Sequence, residues 1–133
     1  MFLNDLTVRR MIGSRNTWQL EQPLIWMCEK HSIVVPAGFV FDFASIPSLL
    51  TNILPKEGRA YDRASCLHDW CYTVQELSRK EADALFLKAM LEDGVNKMTA
   101  RLMYRAVRLF GGKAWRNVSD EQKAKMRSFK GGK

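Results

Sequence analysis

The chain has 133 residues, 47% hydrophobic and 26% charged, the size and balance of a single globular domain able to bury a core without disulfides or metals. Three cysteines, Cys28, Cys66 and Cys71, with no CxxC pair, argue against a disulfide framework or zinc knuckle and for a reducing compartment. No stretch approaches 18 consecutive apolar residues, and the start M-F-L-N-D-L-T-V-R-R has no basic region before an apolar run, which argues against a transmembrane helix and a signal peptide. The net charge of +7 divides into −2 over residues 1–96 and +9 over residues 97–133, so the basic character belongs to the C-terminal quarter. Such a block attracts nucleic acid, anionic lipid or an acidic partner.

Taken in order, Trp18 to Cys28 reads as an edge strand, or as two short strands broken at Pro23. His31 to Pro36 is a β-branched strand, and Ala37-Gly38 a turn. F-V-F-D-F then alternates, with Phe39, Phe41 and Phe43 on one face and Val40 and Asp42 on the other. These pieces predict a small antiparallel sheet from the first 45 residues.

Ser45, in A-S-I-P, is placed to cap a short helix that Pro55 closes. The first long helix is expected from about Tyr61 to Tyr72 or slightly beyond, with Ala64, Leu67 and Cys71 on its apolar face. Ser78 followed by Glu81 is a capping box that starts the next helix. Ala82, Leu85, Phe86, Ala89 and Met90 form its stripe, and Gly94 stops it. Asn96 begins a third helix, with Met98, Leu102, Val107 and Leu109 among its apolar residues and Arg101, Arg105 and Arg108 sharing a face. It ends at Gly111-Gly112. A last helix from about Ser119, where Gln122 completes a second capping box, runs into a basic tail expected to fray from about residue 123. The fold class is α+β: one domain, with a small N-terminal antiparallel sheet followed by three or four helices, two of them an antiparallel hairpin.

Chemistry concentrates between Cys66 and Asp83. His68 and Asp69 are adjacent, Tyr72 follows His68 by one turn, and Asp83 lies across the helical connection. A partly buried imidazole needs its ring nitrogens satisfied, and Asp83 is the best partner. If the first helix ends near Tyr72, His68 and Asp83 sit level; if it continues to Leu77, Asp83 sits level with Tyr72. A carboxylate behind His68 would set its tautomer and raise its basicity, so that the other nitrogen activates a water or binds a metal. Asp69 and Asp42 are candidate ligands of a divalent cation, calcium through oxygen ligands or zinc with His68. The alternative is a polar network of Asp42, His68, Asp69, Tyr72 and Asp83 joining sheet to helices. Arg79, a cation at a helix start, works against the macrodipole and calls for a specific partner, Asp83 or Asp69. The arginine face of the third helix is either solvated or a docking surface for an anionic partner.

Four motifs, P-A-G-F-V-F-D-F-A-S-I-P, L-H-D-W-C-Y, S-R-K-E-A-D-A-L-F and R-L-M-Y-R-A-V-R-L-F-G-G-K-A-W, resemble a family of small uncharacterised proteins of tailed bacteriophages and prophages. That family carries only a domain-of-unknown-function label, and the resemblance covers about residues 18–115. Phe41 departs from its pattern, which has Thr or Ser before the aspartate. The resemblance implies a phage origin, synthesis in the host cytoplasm and a place among virion or host-directed proteins.

C-L-H-D-W-C-Y is also similar to the helix signature C-x-H-D-x-C-Y of secreted phospholipases A2. That similarity implies His68 as the base, Asp69 as a calcium ligand and Asp83 as the support of His68, while Cys66, Cys71 and Tyr72 match in type. The glycine-rich calcium loop and the disulfide lattice are absent. Two functional expectations stand together. One is a metal-assisted hydrolase of the cell envelope, acting on lipid ester or peptidoglycan, with Tyr72 as a hydrogen-bond donor. The other is a non-enzymatic tail or ejection component, or a host-protein binder docking through the basic C-terminal region. Direct nucleic-acid binding ranks below both, because no nucleic-acid module is recognisable.

Overall fold

The structure, a computed structural model, describes residues 1–13, 17–42 and 61–131. Ser45 and the short helix expected to follow it lie outside the described residues, as does Phe43.

Pro23 cannot donate to a β-ladder, and the Trp18–Cys28 stretch divides there. Strand β2 (Trp18–Leu20) lies between β1 (Val8–Arg10) and β5 (Val40–Phe41), antiparallel to both, with Val8 opposite Leu20 and Trp18 opposite Phe41. Strand β3 (Leu24–Met27) turns back on β4 (Ser32–Val35) as a separate two-stranded sheet, Leu24 opposite Val35 and Met27 opposite Ser32. The expected single sheet is therefore two. Alternation decides which side chains go inward: Leu24 and Trp26 are buried whereas Met27 is exposed, and Phe39 and Phe41 are buried on either side of exposed Val40.

Helix α1 (Asp62–Val74) fills the space between these sheets and the remaining helices. It is buried almost all round. Ala64, Leu67 and Cys71 are in the core as expected, and Trp70 meets the Phe39 ring edge-on at 5.1 Å. Burying side chains of this size stabilises the fold by roughly 1.5–3 kcal/mol each. The helix ends where Gln75 takes a left-handed conformation, φ 51°, and its N–H bonds to the Cys71 carbonyl.

Helix α2 (Arg79–Glu92) starts at the expected capping box. Ser78 Oγ accepts from Glu81 N at 3.1 Å, and Glu81 Oε1 accepts from Ser78 N at 3.1 Å. Its five expected stripe residues are all buried. Gly94, at φ 86°, turns the chain out of the helix. Arg63 of α1 grips Asp93 with two bonds, Nη2 to Oδ1 at 2.7 Å and Nε to Oδ2 at 3.0 Å, tying the start of α1 to the end of α2.

Asn96 caps helix α3 (Lys97–Phe110), its Oδ1 accepting from Met98 N at 2.8 Å. Of the apolar residues named on this helix only Val107 is in the core. Ala100, Met103 and Val107 face the core, while Met98, Leu102 and Leu109 are exposed.

A short helix α4 (Gly112–Asn117) follows directly, and α5 (Asp120–Gly131) opens with the second capping box, Ser119 with Gln122. The tail expected to fray from about residue 123 is helical to Gly131. Arg127 donates from Nε to the Val74 carbonyl at 2.8 Å and from Nη2 to that of Gln75 at 3.0 Å. Those are the carbonyls that the end of α1 leaves without helical partners, and a cation there also complements the helix dipole. The described residues thus form an α+β fold, two small antiparallel sheets followed by five helices, in which α1 and α2 are an antiparallel hairpin. None of these helices is long and apolar enough to cross a membrane.

Candidate functional site

His68 and Tyr72 are four residues apart on α1 and share the face turned to α2. Both reach the same oxygen of Asp83: His68 Nε2 lies 2.7 Å from Asp83 Oδ1, and Tyr72 Oη donates to that atom at 2.7 Å. The two alternative registers of the hairpin thus merge, since the carboxylate stands between the two levels. The second oxygen, Oδ2, accepts from Arg108 Nη1 of α3 at 2.7 Å, with Arg79 Nε 4.0 Å away. His68 and Asp83 are both completely buried, deeper than the partial burial expected of the histidine. Phe86 stacks on the imidazole at 4.5 Å between centroids and Tyr72 lies tilted at 4.3 Å.

Burial is the largest single influence on Asp83 and by itself would raise its pKa. Hydrogen bonds from His68 and Tyr72, the nearby histidine and the Arg108 hydrogen bond outweigh it and hold the carboxyl below the usual 3.8. The same contact raises the pKa of the Arg108 guanidinium. His68 goes the other way. Desolvation lowers its pKa below 6.5 despite the Asp83 carboxylate, and the Arg79 charge adds to the lowering. At neutral pH the site therefore holds an ionised Asp83 and a neutral imidazole. An ionised carboxylate only accepts, so the ring proton sits on Nε2 and Nδ1 carries the lone pair. That is the tautomer a general base requires.

Arg79 finds its partner, though only in part where expected. It lies within ion-pair reach of Asp83, donates from Nε to Tyr72 Oη at 3.3 Å, and donates from Nη2 to the carbonyls of Val107 at 2.8 Å and Arg108 at 2.7 Å. A cation placed badly for the dipole of α2 is placed well for that of α3, whose C-terminal carbonyls it covers. Arg108, expected to share an outer face with Arg101 and Arg105, turns its guanidinium inward to Asp83, while Arg101 and Arg105 remain exposed. Nothing in the spacing of α3 marked Arg108 as different, since its partner comes from another helix.

Beside this network lies a cleft of about 340 Å³, and Asp42, Asp69 and Tyr72 all line it. Its wall also includes Thr17 and Thr73, and Asn117 and Gln122 from the far side. Asp42 and Asp69, candidate ligands on a strand and on a helix, thus come to one cavity, and Tyr72 links it to Asp83. His68 does not line it. The donors are all oxygen or amide groups, the chemistry of a hard cation such as calcium. Among the described residues, no three His, Cys, Asp or Glu side chains are grouped so as to hold a metal ion. Asn117 and Gln122 were not singled out from sequence, where amides near a capping box carry no distinguishing signal.

An uncharacterised protein of Sinorhizobium fredii, y4iH, is 39% identical over 72 residues, which are 53% of this chain and 30% of that protein, so the chain matches under a third of the relative's length. No solved structure matches. A family model described as a protein of unknown function, DUF1353, matches residues 18–107, a span holding strands β2 to β5, His68, Asp69, Tyr72, Asp83, Arg101 and Arg105. The chain belongs to the DUF1353 family.

Proposed function

We propose that this is a hydrolase of phage origin acting on the cell envelope, with His68 as general base and Asp83 as the group that orients it. The reading rests on one observation above the others: His68 Nε2 and Asp83 Oδ1 are 2.7 Å apart, with Asp83 held ionised by its hydrogen bonds from His68, Tyr72 and Arg108. Under this reading the imidazole takes a proton from a water admitted to the ring when the site opens, because His68 is fully buried and does not line the cleft, and Nε2–H remains bonded to the carboxylate as the ring becomes cationic. Asp83 stabilises that imidazolium without accepting its proton. Tyr72, which bonds Asp83 and lines the cleft, keeps the carboxylate aimed at the ring. Asp69 and Asp42 would hold a calcium-class cation, whose chemistry there would be charge neutralisation on a substrate carbonyl oxygen. The substrate would be a lipid ester or peptidoglycan.

The test is turnover by the purified protein on short acyl esters, phosphatidylglycerol vesicles and peptidoglycan sacculi, with and without calcium. Hydrolysis of one of these that is lost in His68→Ala, with circular dichroism unchanged, is the expected result. Absence of turnover on all three, or an unaltered rate in His68→Ala, overturns the reading.

A second reading is favoured by the complete burial of His68 and Asp83. In it the network pins α1, α2 and α3 together in a non-enzymatic phage component, a tail or ejection subunit or a host-protein binder. This reading expects the protein in purified virions or in a complex with a host protein, and no hydrolysis by any variant.

A further inference from the structure

Helix α3 turns Ala100, Met103 and Val107 to the core. At 100° per residue the opposite side of the helix carries Met98, Leu102, Arg105 and Leu109, with Arg101 alongside. These aliphatic side chains are open to solvent, Met98 82%, Leu102 48% and Leu109 74% exposed, and Phe110 at the helix end is 67% exposed. Lys97, Arg101 and Arg105 are exposed beside them. From Lys97 to Ser119 the chain has no Asp or Glu. The outer face is therefore an aliphatic line with one sign of charge along its edge, extending about 16 Å from Met98 to Leu109 at 1.5 Å per residue.

We infer that this face docks the protein on an anionic lipid surface. Aliphatic side chains along one line of a helix can enter the boundary between headgroups and acyl chains together, while flanking Lys and Arg meet lipid phosphates. Other occupants match less of the face. A second copy related by a two-fold axis through this face would set arginines against arginines, with no carboxylate on either α3 to receive them. A nucleic acid would satisfy the cations and leave Met98, Leu102 and Leu109 without an apolar partner. The bilayer surface satisfies both halves of the pattern. The inference goes beyond the hydrolase reading and does not depend on it, because docking involves none of His68, Asp69, Tyr72 or Asp83.

Co-sedimentation of the full chain with two sets of vesicles tests it, one of phosphatidylcholine alone and one of equal parts phosphatidylcholine and phosphatidylglycerol. Binding to the anionic vesicles is expected to be at least about tenfold tighter. Arg101→Glu with Arg105→Glu should abolish that preference. Met98→Ser with Leu109→Ser should weaken the binding that persists at high salt, where the charge contribution is screened. All four positions are exposed, and circular dichroism checks that each double variant is folded. Equal or absent binding to the two vesicle types, or binding by both double variants as tight as that of the parent, overturns the inference. So does a dimer in light scattering that Leu109→Ser dissociates, which would assign the face to a second copy. Because no step in this measurement requires turnover, an inactive protein that binds vesicles refutes only the hydrolase reading.

Discussion

Arg79 and Arg108 hold each other's end of the site in place. Arg79 Nη2 donates to the backbone carbonyl of Arg108 at 2.7 Å, and the Arg108 guanidinium donates to Asp83 Oδ2 at 2.7 Å. Two cations are thereby brought close together, tolerated because one carboxylate and the C-terminal carbonyls of α3 lie between them. Asp83 is the only acid within ion-pair distance of either guanidinium among the described contacts. Its removal is therefore the most damaging single change at the site.

Asp83→Asn keeps the shape of the side chain and removes its charge. Arg108 and Arg79 then face a neutral amide, and His68 and Tyr72 lose a charged acceptor. Breaking a buried pair from one side costs about 3–5 kcal/mol, and the expected loss lies toward the lower figure because Arg108 is partly open to water. Urea unfolding measures it. In the double variant Asp83→Asn, Arg108→Leu the cost should be smaller than the sum of the two single losses, since the stranded cation is gone.

Arg79→Lys retains the charge but not the fork. One ammonium cannot reach the Val107 and Arg108 carbonyls and Tyr72 Oη as the guanidinium does. The expected cost is about 1–2 kcal/mol. Hydrogen exchange should rise first in the last turn of α3, whose carbonyls lose their cap.

Gly111→Ala should destabilise for a steric reason. A Cβ at this position would lie 2.5 Å from the Val107 carbonyl oxygen and 2.7 Å from Tyr72 Oη. Neither obstacle is the far end of a flexible chain, so the α3–α4 junction has to move, at about 1–3 kcal/mol. Tyr72→Phe in the same background should recover part of the loss, because it removes one of the two obstacles. Thermal unfolding of the two single variants and the double variant checks this.

Acid should weaken the fold in two stages. His68 has its folded pKa lowered below 6.5, so below that pH the unfolded chain binds a proton that the folded chain refuses. Stability is at its full value above about 6.5 and falls as the pH drops through the folded pKa, by at most about 1.4 kcal/mol per pH unit for one proton. Asp83, also lowered, adds a second loss below 3.8. His68→Gln should flatten the first stage and leave the second. A pH-independent melting temperature between pH 7 and pH 5 in the parent protein would contradict the assignment of a neutral, buried His68.

Local chemistry was legible in the residues alone wherever partners lie within a few positions. Ser78 with Glu81 and Ser119 with Gln122 cap their helices as read, because a capping box closes within one turn. The stripe of α2 and the break at Pro23 followed in the same way from spacing and from a missing N–H. The pairing of His68 with Asp83 was also within reach, since a short connection between antiparallel helices limits which levels can meet. Tertiary structure alone decided the rest. Which of the apolar residues of α3 enter the core, Ala100, Met103 and Val107 rather than Met98, Leu102 and Leu109, is set by the side it turns to the other elements. Arg108 bonds Asp83, and Asp42 and Asp69 line one cleft, although the residues of each pair are 25 or more positions apart. Sequence spacing carries no information on such distances. The sequence determined where the capped helices start and that an imidazole and a carboxylate would share their hairpin, but not the short helix α4. Packing decided that a second arginine joins that pair, because only the third helix, once docked, brings Arg108 to Asp83.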